Sequence, residues 1–406
     1  KIKNEKFEIQ KEKWADILDY YKLPKEKISL DEAILKTKEA LLDSVKYHLV
    51  ADVPVGLFLS GGIDSSVLLY LMRELGKEKI QTVSAIFPST FYDESEKINE
   101  LVKIFKSEHL ELKITGENFL EHLDNIFYYM DQPTVDGVNT YFVSLAAKKA
   151  GLKVVLSGLG GDELFYGYPS FFDLPKIRKF KPFLRFLSFY KVLKLLGNFN
   201  MRYQKLYEII KAKNLEEEYL IYRSIFTENQ IKNIIQSYLS TNSDYIFKHS
   251  YLFANSDKFG SNSDYGLISH LEMSHYLKNQ LLRDSDVFSM AHSIELRVPF
   301  VDNVLFEKII SIPDEYKIKD SVSKFLLKEI LKDKVSKKIL YQKKQGFVVP
   351  IELWLKNEAK GILRQELTKS EIYQKKTIEK LLNMFFQNKL HWSRIWLLFV
   401  LNRFLR

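Results

Sequence analysis

The sequence predicts an α/β fold with a parallel, doubly wound sheet and an added helical lobe. Four short segments, at residues 55–59, 82–87, 110–114 and 153–156, are predicted to be strands, and the first of them is an apolar run. Amphipathic stretches of ten or more residues separate them, and strands that alternate with helices of this length form parallel sheets. From about residue 171 to 264, Lys, Phe, Leu and Tyr recur at helical spacing with little strand signal, which predicts the helical lobe.

The elements follow a regular order along the chain. Ser29 and Glu32 form the capping-box pattern that begins a helix, so we predict a helix over residues 30–50. Further helices are predicted at residues 65–75, 94–105, 119–130 and 141–150. The chain then divides into a linker at 1–29 that is expected to follow a missing upstream domain, a core at 30–170, a helical insertion at 171–264, and a mostly helical part at 265–406 that completes the site.

The composition narrows the class of protein. The chain has 406 residues, a net charge of +9 and no cysteine. The lack of cysteine excludes disulfides, zinc–thiolate sites and a cysteine nucleophile within this sequence. The lysines are scattered rather than clustered, and no apolar run reaches the roughly 18 residues that a membrane span needs. We therefore expect a cytoplasmic protein with no nucleic-acid and no membrane partner.

The first functional motif is S-G-G-I-D-S-S at residues 60–66, directly after the first apolar strand. Gly61 and Gly62 let a ligand approach the backbone closely, and the helix that begins here offers unpaired N–H groups and a positive dipole end to a phosphate. Asp64 would repel a phosphate unless a Mg²⁺ ion lay between them. The segment lacks the lysine of a G-x-x-x-x-G-K-[ST] loop, so it predicts a phosphate site of another kind.

A second motif repeats this design after the strand at 153–156. Its sequence, S-G-L-G-G-D-E at residues 157–163, places Asp162 behind a glycine-rich turn. Asp162 is therefore a second carboxylate that we expect near the phosphates, again through Mg²⁺. The alternative for this segment alone is a plain strand-to-helix turn in which Asp162 caps the helix.

Together the two motifs resemble the ATP-pyrophosphatase loops of asparagine synthetases and their relatives. The resemblance covers roughly residues 30–170 and 265–406 and implies a sheet of the ATP-pyrophosphatase type, also called adenine nucleotide alpha hydrolase-like. It implies ATP and Mg²⁺ as cofactors, with Asp64 and Asp162 as metal ligands. The residues that it implies for ATP binding are Leu59, Ser60, Gly61, Gly62, Asp64, Ser65, Ser66, Ser84, Ile86, Ser157 and Gly158.

Two distal segments match the same family. The sequence D-S-D-V-F-S-M-A-H-S-I-E-L-R-V-P-F-V-D at residues 284–302 resembles a substrate-pocket segment, and this implies a substrate or general-base role for Glu295. The sequence K-K-Q-G-F-V-V-P at 343–350 has Lys344 at the family's lysine position, where its charge would stabilise the reacting α-phosphate and carbonyl. Asp131 and Asp286 are weaker candidates for the substrate side.

Leu159 is the most informative departure from the family pattern. Asparagine synthetases often have a glutamate at this position, proposed as a general base, and the related β-lactam synthetases have a tyrosine. Leucine cannot accept a proton. Leu159, which we count as a substrate-pocket residue, therefore leaves ATP use intact and puts both the amidation mechanism and aspartate as substrate in question.

The resemblance implies an ATP-dependent, AMP-forming ligase that makes an amide from a small-molecule carboxylate and ammonia. Asparagine synthesis from aspartate is the first candidate, and amidation of another carboxylate, such as a sugar acid or a peptide, is the alternative that Leu159 favours. A tRNA-modifying ATP pyrophosphatase and a catalytically inactive scaffold are the two other classes considered. Ammonia would come from an upstream or separate glutaminase domain or from solution, and the chain is a candidate homodimer.

Overall fold

A parallel sheet forms the centre of the fold, as the sequence predicts. The computed structural model describes residues 2–3, 6–7, 17–87, 94–186, 193, 201–235, 263–341 and 349–405. The strands are β1 (Ile2–Lys3), β2 (Lys6–Phe7), β3 (Val55–Phe58), β4 (Gln81–Ile86), β5 (Glu108–Lys113), β6 (Val154–Leu156) and β7 (Glu295–Arg297). Strands β3 to β7 form one sheet in the order β5-β4-β3-β6-β7, and all its pairings are parallel. The predicted α/β fold class is thereby confirmed.

Helices connect the strands and make up most of the remaining described residues. The α-helices are α1 (Ile17–Tyr21), α2 (Leu30–His48), α3 (Ile63–Glu74), α4 (Ser95–Phe105), α5 (Gly116–Tyr129), α6 (Val138–Lys149), α7 (Gly161–Leu164), α8 (Ser170–Phe186), α9 (Met201–Lys211), α10 (Leu215–Arg223), α11 (Glu228–Ile234), α12 (Asp264–Leu271), α13 (Leu282–Met290), α14 (Asn303–Ile310), α15 (Asp314–Lys317), α16 (Phe325–Leu331), α17 (Lys337–Leu340), α18 (Ile351–Lys356), α19 (Lys360–Thr368), α20 (Lys375–Phe386) and α21 (Trp392–Phe404). A π-helical stretch, Glu272–Leu281, continues α12 into α13.

Helices cover both faces of the sheet. Successive side chains of a strand point to opposite faces, so neighbouring residues of β6 belong to different core clusters. Val155 belongs to a core cluster that also contains residues of α5, α6 and α18 to α21. Its neighbour Leu156 belongs to a second cluster, with residues of α2, α3, α14 and α16. The predicted capping box at the start of α2 is present: the Glu32 N–H donates to the Ser29 hydroxyl, and the Ser29 N–H donates to the Glu32 carboxylate.

Strand β7 is the strand of the central sheet that the sequence did not predict, since residues 265–406 were expected to be mostly helical. It adds the edge strand beside β6, with Val154 opposite Glu295 and Leu156 opposite Arg297. A run of three residues with a charge at each end carries too little apolar pattern to indicate a strand. Tertiary pairing with β6 therefore decides the structure of this segment.

The predicted linker at 1–29 contains packed structure. Residues 17–21 form α1, and its buried Tyr21 hydroxyl lies 2.7 Å from the Ser269 hydroxyl. Farther along, Lys25 forms an ion pair with Asp314, at 2.9 Å between Nζ and Oδ1. This part of the segment is therefore held against the helices that follow the lobe.

The described residues of the helical insertion are mostly helical, in α8 to α11. A third core cluster contains residues of α8, α10 and α12. The four-unit division of the chain stays a prediction. Among the helices described here, none combines the length and the apolar character that crossing a bilayer requires.

Candidate functional site

The loops that follow β3 and β6 meet at one edge of the sheet. These strands pair in parallel, with Leu57 opposite Leu156, so the chain leaves both strands side by side at their carboxyl ends. A pocket of about 460 Å³, here called the strand-end pocket, opens at this edge. The predicted site residues that line it are Leu59, Ser60, Gly62, Asp64, Ser65, Ser157, Gly158, Leu159 and Asp162.

The first turn of α3 forms one side of the strand-end pocket. Its N-cap is Gly62, which has no side chain to cap the first N–H groups of the helix. The helix start can therefore present these N–H groups to a ligand. The Ser65 hydroxyl donates to the Gly62 carbonyl at 3.1 Å and accepts from the Ser60 N–H at 3.3 Å, which fixes the turn. Ser66 donates to the same carbonyl within the helix, and neither Ser66 nor Gly61 is among the lining residues.

Asp64 and Asp162, from the two loops, share one cation. The ammonium nitrogen of Lys324 lies 2.7 Å from Asp162 Oδ1 and also contacts Asp64 Oδ2. Burial alone would lower the pKa of Lys324, but the charges of Asp162 and Asp64 outweigh burial and raise that pKa. Lys324 therefore stays protonated, and the three side chains form an ion triad in the wall of the pocket.

Glycine backbone packs directly against this ion triad. A Cβ atom at Gly161 would lie 2.5 Å from Asp64 Oδ1, and one at Gly167 would lie 1.9 Å from Asp162 Oδ1. Both distances are far below van der Waals contact. Glycine at positions 161 and 167 therefore leaves the space in which the two carboxylates take these positions.

A second wall of the pocket carries two acids, half-buried Asp136 and buried Asp284. We call these two residues and Tyr276 the Asp136 wall. Asp136 accepts hydrogen bonds from the Tyr276 hydroxyl at 3.0 Å and from the Gln280 side chain at 2.5 Å, and Asp284 accepts one from the Thr134 hydroxyl at 2.5 Å. Burial raises the pKa of Asp136. Burial, with a smaller contribution from the nearby Asp136 charge, raises the pKa of Asp284 to about 7.

The Asp136 wall is built in part on the π-helical stretch, which carries Tyr276 and Gln280. In this geometry an extra residue is inserted in the helical turn, and such segments are frequent at functional sites. The helical lobe also reaches the wall, because the Arg223 guanidinium lies 4.4 and 4.1 Å from the ring centroids of Tyr168 and Tyr276. Arg223 in turn pairs with buried Glu272, at 2.5 Å between Nη2 and Oε2. A lobe without a recognised motif thus helps to position pocket residues.

Glu295 lies away from the strand-end pocket, at the start of β7. Its side chain is 57% exposed and pairs with the Nε of Arg297 at 2.6 Å. Arg297 also donates to the carbonyl groups of His48 and Val50, just at and after the end of α2. In this structure the Glu295–Arg297 pair braces an edge strand, and Glu295 is not among the residues that line the pocket.

The two weaker substrate candidates are also placed outside the lining. Asp131 forms a surface ion pair with Arg283, at 2.7 Å. Asp286 is exposed on α13, whereas Asp284, two residues earlier on the same helix, is buried and lines the pocket. The structure thus brings Asp284, rather than Asp286, to the site.

Two of the residues implied for ATP binding, Ser84 and Ile86, lie within the sheet. Ser84 is buried, and its hydroxyl lies 3.0 Å from Nε2 of His109. The carbonyl of Ile86 accepts a hydrogen bond from the N–H of Ile114 at 2.9 Å. Neither Ser84 nor Ile86 is among the lining residues of the strand-end pocket. Lys344, the predicted catalytic lysine, lies outside the described residues.

Lys324 is a site residue that sequence reasoning missed, as it missed Tyr276 and Asp284. It stands in S-V-S-K-F-L-L-K-E-I-L, where no neighbouring residue type distinguishes it from the many other lysines. In the structure it is the N-cap of α16 and has a φ of +54°, a left-handed backbone conformation that residues other than glycine rarely adopt. The apolar helical pattern after it was the one available signal, and that pattern places the lysine at a helix start without indicating what it contacts.

Glu163, next to Asp162, is expected to make stability depend on pH. Its burial, and then the charge of Asp162, raise the pKa of Glu163 from 4.5 to about 8. The folded protein therefore keeps a proton that the unfolded chain would lose, so this contribution to stability is complete below pH 4.5 and is lost as pH rises through about 8. We expect Glu163→Gln to reduce the fall in melting temperature between about pH 6 and pH 9.

Glu39→Gln, on the exposed face of α2, is the matched control for this measurement. It should keep the wild-type dependence of melting temperature on pH. Parallel profiles for the wild type and Glu163→Gln would show that Glu163 does not hold the proton.

The fold and the pocket define an α/β protein with two glycine–carboxylate loops at one edge of a parallel sheet. The Asparagine synthase family model matches residues 36–406, and the chain belongs to that family. It is 33% identical to glutamine-hydrolyzing asparagine synthetase 1 of Bacillus subtilis, over 84% of this chain and 53% of the relative. It is 27% identical to asparagine synthetase 3 of the same organism, over 79% of this chain and 49% of the relative.

A shorter match is to glutamine-hydrolyzing asparagine synthetase B of Escherichia coli, with 29% identity over 35% of this chain and 28% of the relative. The chain spans about half the length of the Bacillus relatives it matches.

Proposed function

We propose that this chain is an ATP-dependent carbon–nitrogen ligase that adenylates a carboxylate and then transfers ammonia to it. The observation that carries the proposal is the ion triad. Two carboxylates from separate strand-end loops share the ammonium of Lys324 in the wall of one pocket. Family membership and the names of the relatives support the same class of reaction.

The triphosphate of ATP would lie against the first turn of α3. Ser60, Gly62 and Ser65 line the pocket there, and the helix start supplies N–H groups and a positive dipole end. Ser157 and Gly158 line it from the second loop. The protonated Lys324 lies between the two loops, where a positive charge stabilises phosphate oxygens as negative charge develops on them.

The donor set at this site fits Mg²⁺. Among the described residues no group of three or more acidic or histidine side chains could hold a metal ion, and the pocket offers the two carboxylates of Asp64 and Asp162. That number suits Mg²⁺, which is commonly bound by one or two carboxylates plus substrate phosphates. Asp64 and Asp162 would hold the ion, which when bound would neutralise the charge between them and the phosphates.

The proposed reaction has two steps. A carboxylate oxygen of the acceptor attacks the α-phosphorus of ATP, so that a new oxygen–phosphorus bond forms and pyrophosphate leaves. Ammonia then attacks the acyl carbon, the carbon–nitrogen bond forms, and AMP leaves with the acyl oxygen. The nitrogen loses a proton in this second step, and a pocket carboxylate with a pKa near neutrality is suited to take it.

Asp64→Asn and Asp162→Asn are each expected to abolish turnover while the fold survives. Turnover should be lost because an amide binds Mg²⁺ more weakly than a carboxylate and does not neutralise the charge of the ion. The fold should survive because neither substitution changes the side-chain volume appreciably. The measurement is Mg²⁺-dependent pyrophosphate release, with circular dichroism to check the fold. Asp52→Asn, at an exposed position just before β3, is the control. Release near the wild-type rate from either variant would reject the metal role of that residue.

Asp284 is our candidate for the proton acceptor, because it lines the pocket and has a pKa of about 7. We expect Asp284→Asn to slow amide formation by a factor on the order of 100, while carboxylate-dependent pyrophosphate exchange persists. The exposed neighbour Asp286 provides the control variant Asp286→Asn, which should behave like the wild type. Equal loss of both half-reactions in Asp284→Asn would instead assign Asp284 to acceptor binding.

Two carboxylates are candidates for the acceptor substrate. Aspartate is supported by the names of the relatives. A different carboxylate is supported by Leu159, which lines the pocket and cannot exchange protons. The experiment that tests the proposed function is ATP–pyrophosphate exchange with the purified chain against a panel of carboxylic acids, with ammonium salts as the nitrogen source for product formation. Exchange that no acid stimulates would contradict the proposal.

A further inference from the structure

A second cavity adjoins the strand-end pocket. It has a volume of about 750 Å³ and lies between the helical lobe, the π-helical stretch and α21. Val135, Asp136, Tyr276 and Trp392 line both spaces, so the two share a wall at the Asp136 side of the pocket. We call it the lobe cavity. Protein interiors are close-packed, and a space of this size lies in the range of ligand pockets.

The lining of the lobe cavity is mostly apolar. Three of the polar side chains that reach it hydrogen-bond to protein groups: Arg223 and the Tyr219 hydroxyl contact Glu272, and Gln280 donates to Asp136. The buried Nδ1 of His275 has no hydrogen-bond partner among the described residues, and burial lowers the pKa of His275, which favours the neutral ring. The apolar lining residues that are partly open to the cavity include Ile225, Ile231, Ile235, Leu397 and Leu401. Such a surface stabilises hydrocarbon and has little to offer a second charged group of a ligand.

We infer that the acceptor acid carries an apolar chain or ring that occupies the lobe cavity while its carboxylate lies in the strand-end pocket. This inference rests on the proposed ligase function and names the class of its substrate. The two spaces have four lining residues in common, Asp136 and Tyr276 among them, and this adjacency is what links the cavity to the acceptor. A small polar acid such as aspartate would leave the apolar lining of this cavity, whose volume is about 750 Å³, without a partner. A medium-chain or aryl-substituted carboxylic acid buries that surface.

The first test is a chain-length series in the pyrophosphate exchange assay. Straight-chain monocarboxylic acids from acetic to decanoic acid are compared with aspartate and glutamate. Each methylene that enters the lobe cavity should raise kcat/KM by a factor of about four, until the cavity is filled. Exchange that aspartate stimulates, without any gain from chain length, would overturn this inference and leave the ligase proposal standing. Exchange that no acid stimulates would overturn both.

The second test fills the cavity. Leu401→Trp places a larger ring into the space from α21 and should remove the gain from chain length while short acids react as before. Leu405→Trp is the matched control, since Leu405 is 57% exposed at the end of the same helix and does not line the cavity. Retention of the full chain-length dependence in a folded Leu401→Trp protein would overturn the assignment. The wild-type series decides the matter if this variant fails to fold.

Discussion

Lys324→Met should lower carboxylate-dependent ATP–pyrophosphate exchange by a factor on the order of 100 or more, which is the usual scale for losing one transition-state donor. Methionine keeps the length and most of the volume of the lysine side chain but removes the ammonium that Asp64 and Asp162 share. The two carboxylates are then left facing each other without a countercharge. Because both remain partly open to the pocket, we expect the free energy of unfolding to fall by no more than about 3 kcal/mol.

Lys332→Met, on the exposed lysine that follows α16, is the control for this variant. It should leave both exchange and stability unchanged. Lys344→Ala should be measured in the same assay. The family resemblance implies that Lys344 supplies the catalytic positive charge, whereas in the structure Lys324 is the lysine that contacts the two carboxylates. Exchange at the wild-type rate in Lys324→Met, with loss in Lys344→Ala, would show that Lys324 only stabilises the fold.

Gly167→Ala is expected to have an effect of similar size by a different route. The new methyl group would lie 1.9 Å from Asp162 Oδ1 and 2.3 Å from Lys324 Cε. Both atoms belong to the far ends of flexible side chains, so the fold can accommodate the methyl group by moving them. The atoms that move are those of the ion triad, and displacement of a reacting geometry by about 1 Å can cost a factor on the order of 100 in rate.

The expected signature of Gly167→Ala is therefore a large loss of exchange activity with a small change in melting temperature. Gly361→Ala is the matched control, because the added methyl group there would meet no heavy atom within 4 Å apart from its chain neighbours and the nearby backbone of its own helix. Alanine at that helical position should keep activity and raise stability slightly. A Gly167→Ala protein that keeps full activity would show that the observed spacing of Asp162 and Lys324 is not required for the reaction.

Local sequence was sufficient to predict the parts of this molecule that depend on local interactions. Strands β3 and β6 are short apolar runs, and the capping box at Ser29 and Glu32 is a contact between residues three apart. The two glycine-rich motifs were each placed at a strand end, and parallel pairing of β3 and β6 then necessarily brings Asp64 and Asp162 to one edge. The prediction of two carboxylates in one pocket thus follows from the fold class itself.

Residues that depend on helix orientation or on distant pairing could not be predicted in this way. Asp284 and Asp286 lie two positions apart, which is roughly 200° around a helix, so one faces the pocket and the other faces solvent. The motif contains both and does not specify which is buried. Glu295 falls on a strand that forms only when β6 is beside it. Lys324 meets Asp64 across 260 residues of chain, and no local pattern records that contact.

That long separation has a consequence for how the protein is made. Contacts between residues far apart in sequence form late, because the intervening chain must first be synthesised and its ends brought together. The phosphate-side loops at 60–66 and 157–163 emerge from the ribosome well before the lysine that joins them. A nascent chain therefore carries the paired carboxylates without their cation for about 160 further residues of synthesis, at roughly 5–20 residues per second. Completion of the nucleotide pocket thus waits until the segment that carries Lys324 has been synthesised.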